Sequence, residues 1–273
     1  MTPTHGFVYA ASRRGKTTFA SSFAKAGQAL MAVTREPGPT QAGLLAAGVD
    51  NCPIFVPKTP EELFTFLEYT EPFLALHFDG YKPGAILFDN LQGLQQLIVG
   101  SPAEPEREIA GLKIPKQEAT GIMRIPIKRA EAESGQPAQM DYGILGRFTR
   151  RFLSLVDSLP YHTLITATES LEFDEKYKKD TQGMSQQAAA GRTRKIKGYP
   201  ATEGFMIKPV LPSLVAGYYL HLTKRGDKFI IHTQPHVDAE GVEWFADPRG
   251  LRTQAKEIDW TNKSAWDILQ LGG

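Results

Sequence analysis

One stretch near the start restricts the fold more than any other: Val8-Tyr9-Ala10-Ala11-Ser12-Arg13-Arg14-Gly15-Lys16-Thr17-Thr18. A short apolar run, 6–9, precedes it, and a helix-like run, 17–30, rich in small residues, follows it. Strand, tight loop and a helix opening at Gly-Lys-Thr make a phosphate-binding loop. Backbone N–H groups and the helix N-terminus face the anion, and the lysine reaches its outer phosphates. The full pattern G-x-x-x-x-G-K-[ST] asks for glycine where this chain has Ala10, and Arg13 also stands where glycine is usual. The tripeptide alone arises by chance in about one chain of this length in seven. Its weight comes from the strand before it and the helix after it. The alternative is a helix N-terminus carrying an exposed lysine.

The 273 residues suffice for one large α/β domain, and 41% hydrophobic with 22% charged residues is ordinary for a soluble globular chain. With a net charge of +1, no global field draws the protein to nucleic acid or an acidic membrane, so any such binding needs a local patch. The lone Cys52 precludes an internal disulfide and points to a reduced compartment. No run approaches the length of a membrane span, and the first strand begins too early to leave room for a signal peptide. The expectation is a cytoplasmic protein without a membrane partner.

Along the chain, apolar strands are expected at 6–9, 31–34, 53–56, 85–88 and 163–168. The segment 35–39, with Pro37, Gly38 and Pro39, reads as a loop. Thr59 as N-cap, Pro60 at N1 and Glu62 completing a capping box open a helix running to about Tyr69. A helix follows at 91–99, and Ile144, Phe148, Phe152 and Leu155 recur at helical spacing within 141–158. Alternating runs at 218–223 and 228–233, separated by Lys224-Arg225-Gly226-Asp227, read as a β-hairpin. A short helix at 262–271 closes the chain, and no internal repeat is evident. Between these lie an unpatterned 101–140 and a polar, basic 169–202 with few core residues. The fold class is therefore α/β, a mainly parallel sheet flanked by helices with an antiparallel extension.

Within this frame Ala11, Ser12, Arg13, Arg14, Gly15, Lys16, Thr17 and Thr18 are the nucleotide-binding residues. Lys16 pairs with the β- and γ-phosphates, and Thr17 offers its hydroxyl to Mg²⁺. The metal-positioning acid at the end of another strand is Asp89, after Ile86-Leu87-Phe88. The alternative role for Asp89 or Asn90 is to cap the helix that follows. Glu36, ending the second strand, is the candidate that polarises the attacking water, if that strand runs parallel to the first. Thr168 is the candidate γ-phosphate sensor, with Thr166 and Glu169 beside it.

Taken together, the loop ending at Thr18, Glu36, Leu87-Phe88-Asp89-Asn90, Asp141-Tyr142-Gly143, Leu164 to Thr168 and Val210-Leu211-Pro212-Ser213-Leu214 resemble the phage-encoded RecA-like P-loop ATPases. The closest likeness is to the nucleotide-binding group that includes the Sak-four-type single-strand annealing proteins. The resemblance spans most of 6–250. It implies a single RecA-like domain over 1–273, with a 101–140 insertion and a 170–202 basic loop. It further implies a strand lying between those that carry Lys16's loop and Asp89. The activity implied is Mg²⁺-dependent ATP hydrolysis coupled to single-stranded DNA in phage recombination or replication. A ring or filament of identical subunits and the host-cell cytoplasm are implied with it.

The corresponding family loop contacts DNA, which makes Lys178, Lys179, Arg192, Arg194, Lys195 and Lys197 the candidate DNA-binding residues here. A mobile basic loop with tyrosines suits phosphate contact and base stacking, although most such runs are solvated faces. Lys224, Arg225, Arg249 and Arg252 are candidates to reach a neighbouring subunit's phosphates. The six histidines show no metal-ligand spacing. Two other readings stay open: a small-molecule kinase using 101–140 as a lid, and a nucleotide-binding assembly module with little turnover.

Overall fold

A computed structural model describes residues 3–25, 27–100, 108–109, 112–113, 139–173, 196–202, 207–249, 251, 255–261, 263 and 267–268. The apolar run ahead of the glycine-lysine loop forms β1 (His5–Ala10), and the loop delivers the chain into α1 (Lys16–Lys25). β2 (Leu30–Val33) leads to α2 (Pro37–Ala46), β3 (Ile54–Phe55), α3 (Pro60–Glu68) and α4 (Thr70–His77). β4 (Ala85–Phe88) precedes α5 (Leu91–Gly100). A two-residue antiparallel pair, β5 (Glu108–Ile109) and β6 (Leu112–Lys113), comes before α6 (Gln139–Ser158). Then come β7 (His162–Phe173), β8 (Ile196–Pro200), a 3₁₀ turn at Lys208–Val210 and α7 (Leu211–Leu214). The chain continues through β9 (Tyr218–Arg225), β10 (Lys228–His232), β11 (His236–Val237), β12 (Val242–Trp244) and β13 (Glu257–Asp259).

The result is a mixed α/β fold around a mostly parallel sheet. β3, β2, β4, β7, β1 and β9 run side by side in that order, all parallel. The antiparallel strands β10 and then β13 extend it beyond β9. β7 thus lies between β1 and β4. Its C-terminal half overshoots the sheet and pairs antiparallel with β8, to which β12 and β11 are added. Because all six parallel strands point the same way, the ends of β1, β2, β4 and β7 share one edge.

Both faces of the sheet are covered, which is why its strands read as unbroken apolar runs. Phe7, Tyr9, Val33, Ile86, Phe88 and Ile165 pack towards α3 to α6, while Val8, Ala10, Ala32, Leu87 and Leu164 pack towards α1 and α2. A buried hydrogen bond from Gln95 to Thr149, 2.7 Å, ties α5 to α6, and Arg151 pairs with Glu68 of α3.

Three expectations need correction. The segment 35–39 is not a loop throughout, because Pro37 opens α2. A proline in the first helical turn lacks only an N–H that would have no partner there, and its fixed φ already suits a helix. The expected basic loop is partly strand: β7 continues to Phe173 and 196–200 is β8, so cross-strand pairing overrides polar composition there. The helix from Thr59 ends where expected, at Glu68 with Tyr69 as its C-cap, and α4 follows at once; only its capping box departs from expectation. The Thr59 cap accepts from the Glu62 N–H at 3.2 Å, but the Glu62 carboxylate reaches back to the Lys58 N–H, one residue further than the usual box. Most of 101–140 and of the expected helix 262–271 lies outside the described residues, and α6 begins at Gln139.

Candidate functional site

The glycine-lysine loop sits at the C-terminal end of β1. Arg13 and Gly15 both adopt left-handed backbone, with φ of 61° and 88°. Gly15 suits that geometry, whereas Arg13 bears the steric cost of a Cβ there. Ala10, the other departure from the glycine pattern, is the buried last residue of β1 and lacks a positive φ, so glycine is not required there. A Cβ on Gly15 would lie 3.1 Å from the Phe229 ring and 3.2 Å from Trp260, so β10 and the segment after β13 back the loop closely. Ser12, Arg13, Arg14 and Thr18 are exposed; Ala11, Lys16 and Thr17 are half-buried.

Lys16 turns back along its own loop. Its Nζ donates to the carbonyls of Ala10 at 2.9 Å and Ala11 at 3.0 Å. Burial pushes its ammonium below the ordinary lysine value, and the carboxylates of Asp89 and Glu169 act in the opposite sense. A half-buried cation whose direct partners are neutral carbonyls is poised to accept an anion. Thr17 lies against α2, where a Cβ on Gly43 would come within 2.9 Å of it.

Asp89 is the fixed carboxylate of the site. Thr166 on β7 donates to its Oδ1 at 2.6 Å, and Thr40 on α2 donates to its Oδ2 at 2.8 Å. Thr40 also meets the buried Thr34 hydroxyl at 3.2 Å. The capping alternative falls to its neighbour, because Asn90 Oδ1 accepts from the Gly93 N–H at 2.7 Å. Asp89 is therefore free of the helix and faces the shared strand edge. Thr34 and Thr40 escaped the sequence reading, since their meeting depends on α2 starting at Pro37.

Glu36 stands at the N-cap of α2 on the expected sheet edge. It is exposed, and its side chain does not cap the helix. Its backbone N–H donates to Thr34 Oγ1 at 3.0 Å. Thr168 stands in register with Ala10, while its neighbour Glu169 reaches Lys16 electrostatically.

Behind the loop lies a cluster that no spacing in the sequence announces. His221, His232 and His236 stack on one another, with the last two ring centres 3.6 Å apart. Tyr9 and Trp244 stack on His221 at 4.7 and 4.3 Å. His221 Nε2 meets Glu169 Oε1 at 2.8 Å, and its Nδ1 meets His236 Nε2 at 3.2 Å. Burial and the neighbouring imidazoles push His232 down to about 3 and His236 down to about 4. Counting outward from the turn at Gly226 and Asp227 pairs His221 with His232, a signal the hairpin itself contains. Among the described residues, no group of three or more His, Cys, Asp or Glu is arranged to hold a metal ion.

His236 also lines a cleft of about 800 Å³ walled by Tyr199, Trp244, Phe245, Lys197 and Arg249. Of the six candidate DNA-binding residues only Lys197, on β8, is described; Lys178, Lys179, Arg192, Arg194 and Lys195 lie outside the described residues. Of the candidate phosphate-reaching groups, Arg225 pairs with Glu257, Arg249 with Asp247, and Lys224 lies over the Phe229 ring. Arg252 is outside the described residues. No helix among the described residues is long and apolar enough to cross a membrane.

No protein-family model matches the chain, and no curated protein matches it at a significant level.

Proposed function

We propose that this chain is a RecA-like P-loop ATPase that binds ATP with Mg²⁺ and acts on single-stranded DNA. The observation that carries the reading is the assembly of Lys16 and Asp89 at one edge of a parallel sheet, with β7 between their strands. The loop N–H groups and Lys16 would hold the phosphates, and Thr17 and Asp89 would hold Mg²⁺. When bound, the ion neutralises charge on the phosphates. Thr40 and Thr166 hold both oxygens of Asp89 in place, and each oxygen keeps further lone-pair capacity to accept. The sequence resemblance supplies single-stranded DNA as the partner and a ring or filament as the assembly.

A second reading is a nucleotide-binding module with little or no turnover. It draws on Glu36, whose exposed carboxylate makes no hydrogen bond or ion pair among the described residues.

The test is steady-state ATP hydrolysis with and without single-stranded DNA, for the wild type and Lys16→Ala. Stimulation by DNA that is lost in the variant supports the ATPase reading. Hydrolysis indifferent to DNA, with no DNA binding at low salt, removes DNA as the substrate. Tight ATP binding by the wild type without hydrolysis selects the module.

A further inference from the structure

The Glu169 carboxylate is tied to a chain of imidazoles that the phosphate loop itself does not need. β1 and β7 pair in parallel with Ala10 opposite Thr168, so Glu169 stands level with Ala11, the first residue of the loop. It lies among the electrostatic neighbours of Lys16. A carboxylate accepts only, so the 2.8 Å contact from His221 Nε2 is an N–H donated to Glu169. That tautomer makes His221 Nδ1 the acceptor for an N–H from His236 Nε2, 3.2 Å away. His221 is 1% exposed and packs against the rings of Tyr9 and Trp244, which restrict its plane. Glu169 is therefore the held carboxylate on this side of the loop, whereas Glu36 is exposed and its side chain is not anchored.

Resting on the ATPase reading above, we propose that Glu169, rather than Glu36, is the catalytic carboxylate that takes the proton from the attacking water. His221 is its positioning residue, braced in turn by His236. In the step, the water oxygen forms a new bond to the γ-phosphorus. The bond from that phosphorus to the β–γ bridging oxygen breaks, and its electron pair leaves with ADP. The water proton passes to Glu169 and from there to solvent, so the carboxylate is regenerated.

The test combines single-turnover hydrolysis of ATP with Mg²⁺ and equilibrium binding of the same nucleotide by the full chain. Glu169→Gln preserves shape and still accepts from His221, so it is the variant least disturbing to the fold. It should bind ATP within about threefold of wild type yet hydrolyse it at least ~100-fold more slowly, the lower end of what a positioned base contributes. Glu36→Gln should keep its rate within about threefold. His221→Ala should lower the rate constant about tenfold with affinity unchanged, and His221→Asn or His221→Gln, which restore an N–H donor, should recover part of it. A purely structural His221 would lower binding and hydrolysis together. Wild-type hydrolysis by Glu169→Gln, or its collapse in Glu36→Gln alone, overturns the proposal while leaving the ATPase reading intact. A wild type that binds ATP but never hydrolyses it overturns the proposal and the turnover, but not the nucleotide site. A wild type that does not bind ATP overturns both.

Discussion

Thr166 donates a 2.6 Å hydrogen bond to Oδ1 of Asp89, linking β7 to the residue that follows β4 just past the last paired position of the two parallel strands. The bond is buried on the threonine side and charge-assisted. Thr166→Val keeps the shape but leaves that oxygen without its donor. The expected loss is roughly 1.5–3 kcal/mol of stability, the usual worth of a hydrogen bond to a charged group. Denaturant unfolding measures it, and a midpoint unchanged from wild type would count against the bond.

Gly43 packs so close to Thr17 that an added methyl would sit 2.9 Å from its side chain. Thr17 is a short, branched side chain that cannot bend away as a long flexible one could. Gly43→Ala should therefore displace the Thr17 hydroxyl and weaken ATP binding in the presence of Mg²⁺ about tenfold, a shift of roughly 1.4 kcal/mol. Titration calorimetry of Gly43→Ala against wild type checks this, and equal affinities would refute the close approach as a functional constraint.

Arg13 sits at φ 61°, where a side chain is strained. Arg13→Gly removes that strain, offset in part by the greater freedom of glycine in the unfolded chain. A gain of about 0.5–1 kcal/mol is expected, read as a higher melting temperature. A lower one would mean that the arginine contributes contacts outweighing the strain.

The strand-loop-helix at the start was legible because its parts are local: a buried strand, a tight loop and a helix opening at the lysine. The same holds for Ile86 to Asp89, whose apolar run announces a strand covered on both faces. The hairpin at Gly226 was equally plain. What the sequence hid depends on tertiary register. Thr34 and Thr40 meet only because α2 begins at Pro37, where a proline looks like a breaker. β7 runs past Thr168 because β8 supplies its pairing partner, so polar Ser170 and Glu172 sit in a strand. His221, His232 and His236 come from separate strands and share no period, although the hairpin register pairs the first two.

The imidazole stack makes stability depend on pH. His232 and His236 are held neutral in the folded chain, down to about 3 and about 4, against 6.5 when unfolded. Below pH 6.5 the unfolded chain therefore binds more protons than the folded one. Stability should be full above that pH and fall on acidification towards pH 4. The slope is roughly 1.4 kcal/mol per pH unit for each imidazole so held. Urea midpoints measured from pH 7.5 to 4.5 test this, and His232→Gln combined with His236→Gln should flatten the curve. A flat wild-type curve would contradict the buried, neutral stack.

The central claim is that the Lys16 loop and Asp89 form a nucleotide site. Equilibrium binding of ATP with Mg²⁺ to the wild type, Lys16→Ala and Asp89→Ala tests it most directly. The account predicts saturable binding by the wild type, weakened at least ~10-fold by Lys16→Ala, with the benefit of Mg²⁺ lost in Asp89→Ala. Equal binding by all three, or none by the wild type, would contradict it.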